Sequence, residues 1–181
     1  MRNELLPSLL AILLALAGCA SGPTVRVDRD PGADFASYKT FAFFEQVETD
    51  RSRYTSLMTE HLKSATRAEL ERRGYVYDER APQLRVNLFL NVQDRREIHA
   101  TPSAGLFGWR FYGAWGGYDV RTEQYKAGTL SVDLVDARRN ALVWEGVAEG
   151  KVRAEALDDP GAALGKVVAE LFSRFPSPPS A

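Results

Sequence analysis

The sequence predicts an α+β domain: a mostly antiparallel sheet of four to five strands with two helices packed on one face, in the order β-β-α-β-β-β-α. Residues 83–94 (QLRVNLFLNVQD) and 128–136 (GTLSVDLVD) alternate apolar and polar side chains with the period of two that marks half-buried strands. Residues 54–70 and 164–175 instead repeat their apolar positions at helical spacing. Two amphipathic helices each need one apolar surface to cover, and one face of the sheet supplies it.

Val25-Arg26-Val27 opens a short strand, and residues 28–37 read as a turn-rich connection. Residues 38–44 (YKTFAFF) are aromatic and Thr-rich, the composition of a strand. Residues 49–52 (TDRS) offer polar caps for a helix that runs to about Arg73. Its stripe is Tyr54, Met58, Leu62, Thr66 and Leu70 at i+4, with Leu57 and Ala65 alongside. Glu69 and Arg73 are set for an i, i+4 pair on the surface of this helix, and Gly74 is placed to end it. In the strand over residues 83–94, Leu84, Val86, Leu88, Leu90 and Val92 share one face; Arg85, Asn87, Phe89 and Asn91 share the other. Leu130, Val132 and Leu134 repeat the pattern. Ala137-Arg138-Arg139-Asn140 makes a hairpin turn into a return strand over residues 141–152. There Trp144, Gly146, Ala148 and Gly150 share a face, and the small residues suggest close approach of a helix. Asp158 or Asp159 caps the last helix and Pro160 takes its first position. Leu164, Val167, Val168, Leu171, Phe172 and Phe175 form its apolar stripe, and Pro176 ends it.

Residues 95–125 lack any apolar period and read as a long loop between two strands. Their middle, GLFGWRFYGAWGGY, interleaves Trp109, Phe111, Tyr112, Trp115 and Tyr118 with glycines and Arg110. Connections this long are uncommon in compact domains and are often functional. Aromatic residues with one Arg suit a membrane interface, hot spots for a protein partner, or stacking on sugar rings. These six residues are the candidate interaction site. The alternative is that the aromatics fold back over the open sheet face, where Phe89 would otherwise be exposed.

The N-terminus says where the protein resides. Residues 5–17 (LLPSLLAILLALA) are too short an apolar run to span a bilayer, which takes about 20 residues, and fit a signal peptide. Leu16-Ala17-Gly18-Cys19 then resembles the lipobox of bacterial lipoproteins, and Cys19 is the only cysteine in the chain. The resemblance implies a diacylglyceryl thioether on Cys19, removal of residues 1–18 and acylation of the new amine. Stable anchoring takes more than one acyl chain, and this set supplies it. Glu4 beside Arg2 weakens the basic character usual at the start of such leaders. Ala20 rather than Asp after Cys19 resembles the sorting signal for the outer membrane. Residues 19–23 are then a short tether, residues 24–176 one domain, and residues 177–181 a disordered tail.

Composition narrows the function classes. The leader's Arg2 and Glu4 cancel, so the mature chain keeps the formal charge of −1, and with a pI near 6.2 it has no basic field for nucleic acid. An exported domain of this size with no second cysteine relies on its core.

The blocks Asp34-Phe35-Ala36-Ser37-Tyr38-Lys39-Thr40-Phe41, Gly74-Tyr75, Gly128-Thr129-Leu130, Asp133-Leu134-Val135-Asp136, Leu142-Val143-Trp144-Glu145-Gly146 and the closing Phe175-Pro176 together resemble the DUF4136 family. The resemblance runs from about Val25 to Pro176 and includes the Gly/aromatic insertion. It implies an α+β fold and bacterial lipoproteins without an assigned activity, and it brings no catalytic residue.

The residues carry no catalytic motif: no nucleophile elbow, Ser-x-x-Lys, zincin helix or P-loop. His61 and His99 have no second His or Cys at metal spacing, and no cofactor is expected. Asp133 and Asp136, three apart, fall on opposite faces of a regular strand, Asp133 toward solvent and Asp136 toward the hairpin turn. The sequence therefore favours a non-enzymatic, membrane-anchored binding or scaffold module of the envelope, facing the periplasm. The rival is an enzyme or carrier for a cell-wall or lipid substrate, with residues 95–125 as its lid.

Overall fold

A computed structural model describes residues 22–49, 56–103 and 117–176. The leader, Cys19 and the tail at 177–181 lie outside them, as do Trp109, Arg110, Phe111, Tyr112 and Trp115. The elements are β1 (Thr24–Arg29), β2 (Thr40–Phe43), α1 (Leu57–Arg72), β3 (Val76–Tyr77), β4 (Leu84–Ser103), β5 (Gly117–Asp136), β6 (Ala141–Lys151), α2 (Ala154–Asp158) and α3 (Pro160–Ser173). They build an α+β domain around one six-stranded sheet of order β1-β6-β5-β4-β2-β3.

The β1/β6, β6/β5 and β5/β4 pairs are antiparallel, whereas β2 lies parallel to both β3 and β4. The sequence pattern gave one strand fewer at least, because Val76–Tyr77 is too short to show a period. Parallel pairing arises because α1 carries the chain back across the sheet between β2 and the β3/β4 strands, the crossover such pairs require.

One face of the sheet makes the core. Phe41, Leu84, Val86, Leu88, Val132, Leu134 and Trp144 are fully buried there against Leu62 and Leu70 of α1 and Val168, Leu171 and Phe172 of α3. The alternation read from the sequence is the alternation seen. Ser56 caps α1, its hydroxyl accepting from Thr59 N at 3.1 Å. Gly74, at φ +88°, closes the helix: its N–H donates to Glu71 O and the Tyr75 N–H to Leu70 O. That pair of bonds is the Schellman closure, which needs a left-handed residue. Asp159 caps α3 by accepting from Ala162 N at 2.9 Å, with Pro160 at the first helical position.

Three details depart from expectation. Leu57 is exposed and Met58 partly so, while Thr59 and Glu69 are buried. The Glu69–Arg73 pair forms but is no surface pair, because Arg73 also donates to Phe172 O at the end of α3. Docking of that helix end covers Glu69, and Arg72 supplies a second ion pair to it at 2.7 Å. Second, the nearest neighbours of two β6 glycines are not helix residues: a Cβ at Gly146 would lie 2.6 Å from Trp144 Cη2, and one at Gly150 would lie 3.3 Å from Pro23 Cα. Third, residues 95–103 and 117–125 are not loop but strand, the ends of β4 and β5 paired continuously to Ser103↔Gly117.

Asp136 holds the β5–β6 turn as expected. Its Oδ1 accepts from the backbone N–H groups of Arg138 and Arg139, and its Oδ2 from Tyr38 Oη at 2.8 Å and Arg139 Nε at 3.0 Å. The Arg139 backbone N–H is the largest influence holding this carboxyl well below the usual carboxylate range, with Tyr38 and the Arg139 side chain adding to it despite burial. A carboxyl depressed in the folded state contributes stability above its unfolded pKa and loses it as pH falls. The chain should therefore lose stability below about pH 4. Asp136→Asn should cost about 2 kcal/mol at neutral pH, since the amide turns a donor toward Tyr38 or Arg139. Its stability should fall less between about pH 4 and pH 2 than that of the wild type. Urea unfolding across that range reads both effects; equal acid slopes for the two proteins would assign the acid loss to other carboxyls.

Candidate functional site

The feature that no core requirement explains is the distal half of the β4–β5 hairpin. β6 ends at Lys151, which pairs with Ala127. Beyond Asp94↔Lys126 the two strands continue alone as a twenty-residue ladder's outer half. At about 3.3 Å per residue this two-stranded arm reaches roughly 30 Å past the sheet. Two-stranded ribbons are marginally stable on their own; this one grows from a pair anchored in the core by Leu84, Val86, Leu88 and their partners.

The arm's two faces differ. Leu84, Val86 and Leu88 set the parity of the helix-covered face, and along the arm that parity gives Val92, Asp94, Arg96, Ile98 and Ala100 on β4 and Lys126, Gln124, Thr122, Val120 and Tyr118 on β5. Ile98 is 69 % exposed, Val120 64 % and Tyr118 69 %, which makes a short apolar strip outside the core, with Thr122 opposite Ile98 and Arg96 and Gln124 beside it. Ala100 stands opposite Val120. At the arm's base Val152 touches Gly128, and the Asp94/Lys126 and Arg96/Gln124 pairs lie between that point and Ile98.

The opposite face is charged. Glu97 and Glu123 are direct cross-strand partners. Lys151 reaches both, at 3.6 and 3.4 Å, and lies 4.1 Å from the centre of the Tyr125 ring. His99 Nε2 is 3.7 Å from Glu97 and 3.9 Å from Glu123. Partial loss of water works against the Lys151 ammonium, but Glu123 and Glu97 more than offset it, and its pKa stands above the ordinary lysine value. Like charges opposite each other on a ladder repel, so Lys151 is the group that lets the two glutamates share this face. An open hollow of about 480 Å³ lies beside them, lined by His99, Thr101, Asp119, Val120, Arg121 and Glu123.

The other residues singled out in the sequence are scattered. His61 lies on α1 against Gly161 at the start of α3, and His99 lies on the arm, so the histidines do not meet. Among the described residues no group of three His, Cys, Asp or Glu side chains is placed to hold a metal ion. Asp133 is half-buried on the open sheet face, accepting from Ser131 at 2.7 Å and Asn87 at 3.3 Å, across the strand from Asp136. Of the six aromatic-segment residues only Tyr118 is described. It stands on β5, on the apolar strip. Phe89 on the open face is half-buried.

The N-terminal end of β1 meets the arm's base. Thr24 pairs with Glu149, and Pro23 rests on Gly150, which pairs with Gly128 of β5. The segment that joins Cys19 to the domain thus enters the sheet at the end from which the arm leaves. Among the described residues no helix is long and apolar enough to cross a membrane.

Comparison with known proteins adds a family. A profile described as Domain of unknown function (DUF4136) matches residues 25–177. Among solved structures, a DUF4136 family protein from Bacteroides thetaiotaomicron superposes with a TM-score of 0.54 at 14 % identity, covering 87 % of this chain and 97 % of that one. A PDZ domain protein from Parabacteroides distasonis gives a TM-score of 0.54 at 15 % identity over 86 % of this chain. The match spans 37 % of that protein's length. At these identities the likeness is one of fold. No curated protein matches the sequence.

Proposed function

This chain belongs to the DUF4136 family, whose function is unknown, and from that premise we propose that it is a lipid-anchored periplasmic protein acting as a non-enzymatic binding or scaffold module. Cys19 carries the anchor. Ala20 directs the protein to the outer membrane. The observation that supports a binding role is the arm: a ladder outside the core, exposed on both faces, with a short apolar strip in the open among the described residues. Exposed apolar surface of that kind marks contact sites more often than decoration. Residues 104–116 join the arm's strands, so Trp109, Arg110, Phe111, Tyr112 and Trp115 are carried at its far end by covalent connection, with Tyr118 next to them.

The partner is then a membrane-proximal component of the envelope, and the test is crosslinking in cells. A photo-reactive residue at Trp115, with Cys19 intact, should give a discrete crosslinked species. The same residue on Glu71, at the solvent face of α1, should give none. Equal and diffuse crosslinking from both positions would remove the arm as the contact element.

A further inference from the structure

We propose that the arm lies along the bilayer surface with its Ile98/Ala100/Val120/Tyr118 face against lipid, an inference that rests on Cys19 being the membrane anchor.

The geometry leaves little choice. Cys19 stands four residues before Pro23, a stretch that reaches less than about 15 Å even when fully extended. Pro23 sits at the arm's base, beside Gly150, and the arm runs from that level opposite to the course of β1, toward the side from which the chain enters the sheet. If the arm pointed away from the membrane, the length of β6 would stand between Pro23 and the opposite end of the sheet that then faced the lipid. Its eleven residues measure roughly 35 Å, more than twice the tether's reach. An arm pointing straight at the membrane fails differently. The arm exceeds the tether by about 15 Å and would be driven into hydrocarbon with Arg95, Arg96, Glu97, Arg121 and Glu123 on it. Charged side chains and the open edges of a two-stranded ribbon are not tolerated there. What remains is an arm lying in the interfacial layer, beside its own anchor.

The two faces then settle which side meets lipid. Lys151 pairs with Glu97 and Glu123 on one face, with His99 beside them, and these groups keep their water. The other face carries Ile98, Val120 and Tyr118 in the open toward the arm's outer end, with Arg96, Thr122, Gln124 and the Asp94–Lys126 pair, 3.2 Å apart, on the same face. Burying aliphatic and aromatic groups at the interface is favourable, and a tyrosine ring suits the headgroup level.

Neighbouring positions on opposite faces make the test. A thioether on Cys19 leaves an introduced cysteine as the only free thiol, since the chain has no other. Val120→Cys and Arg121→Cys, each in the acylated full-length protein, are labelled with a nitroxide and reconstituted into vesicles of phosphatidylethanolamine and phosphatidylglycerol. Both residues are exposed, so neither change disturbs the core. The Val120 label should be several-fold less accessible to a water-soluble relaxation agent than the Arg121 label, and several-fold more accessible to a lipid-soluble one. Equal aqueous access at both sites in protein that floats with the vesicles would overturn the arm's placement while leaving the anchor standing. So would a Val120 label shielded from both agents, which marks a second copy of the chain as the occupant. Protein that carries an unmodified Cys19 and never floats would overturn the anchor, and the placement with it.

Discussion

Gly146→Ala is expected to destabilise the chain by about 2 kcal/mol, toward the middle of the range for overpacked cores. Alanine is normally the better strand residue, and removing a glycine from the unfolded chain is mildly stabilising. The sign reverses here because the added methyl would stand 2.6 Å from Trp144 Cη2 and 3.1 Å from Cζ2. The indole cannot retreat. It is fully buried, with the rings of Phe172 and Phe175 each 5.2 Å away, and its side lies against the sheet itself. Trp144 therefore folds back over the residue two places along its own strand, and only glycine leaves room. The melting temperature should fall by about 5 °C in a domain of this size. The explanation is specific to the ring, so a double-mutant cycle checks it. In a Trp144→Leu background Gly146→Ala should cost little, giving a coupling within the range for residues in direct contact. An equal cost in both backgrounds would place the requirement for Gly146 in its backbone instead.

The contrast between Gly146 and Gly74 shows how far residue patterns reach. Gly74 follows a helical stripe directly, and its role as helix terminator is local, set by φ +88° and two backbone bonds. Gly146 depends on where an indole goes after three elements have packed, which no spacing encodes. The same division runs through the fold. Leu84 to Leu88 and Leu130 to Leu134 alternate because helices cover one side of them, and the C-terminal stripe from Leu164 to Phe175 is legible for the same reason. Past Asp94 the hairpin is solvated on both faces, burial imposes no period, and the strands read as loop. A faint signal was present: Ile98 and Ala100, then Tyr118 and Val120, stand two apart on facing strands. Parallel pairing of β2 was hidden because Thr40–Phe43 is short and its partner choice is decided by the path of α1. Burial of Glu69 was hidden because the covering group, the end of α3, comes about a hundred residues later. The candidate site was thus legible in composition, as aromatic residues among glycines, and illegible in shape.

Cys19→Ser carries the largest expected effect of all. Transfer of a diacylglyceryl group needs the thiolate sulfur as nucleophile, and a serine hydroxyl does not replace it at neutral pH. The variant should lose its anchor completely and move from the membrane fraction to the soluble or unprocessed pool. The folded domain should keep its stability, because Cys19 precedes the first strand by five residues. A strong shift in location with no change in urea unfolding would separate anchoring from folding. Loss of both would mean that the anchor contributes to the fold.

The most direct test of the account is the intact mass of the wild-type chain extracted from membranes. It predicts a protein that begins at Cys19 and carries a diacylglyceryl thioether and an amide-linked acyl chain, with Trp109, Trp115 and the whole arm retained. A mature chain that begins elsewhere, or one whose Cys19 bears a free thiol, would contradict it.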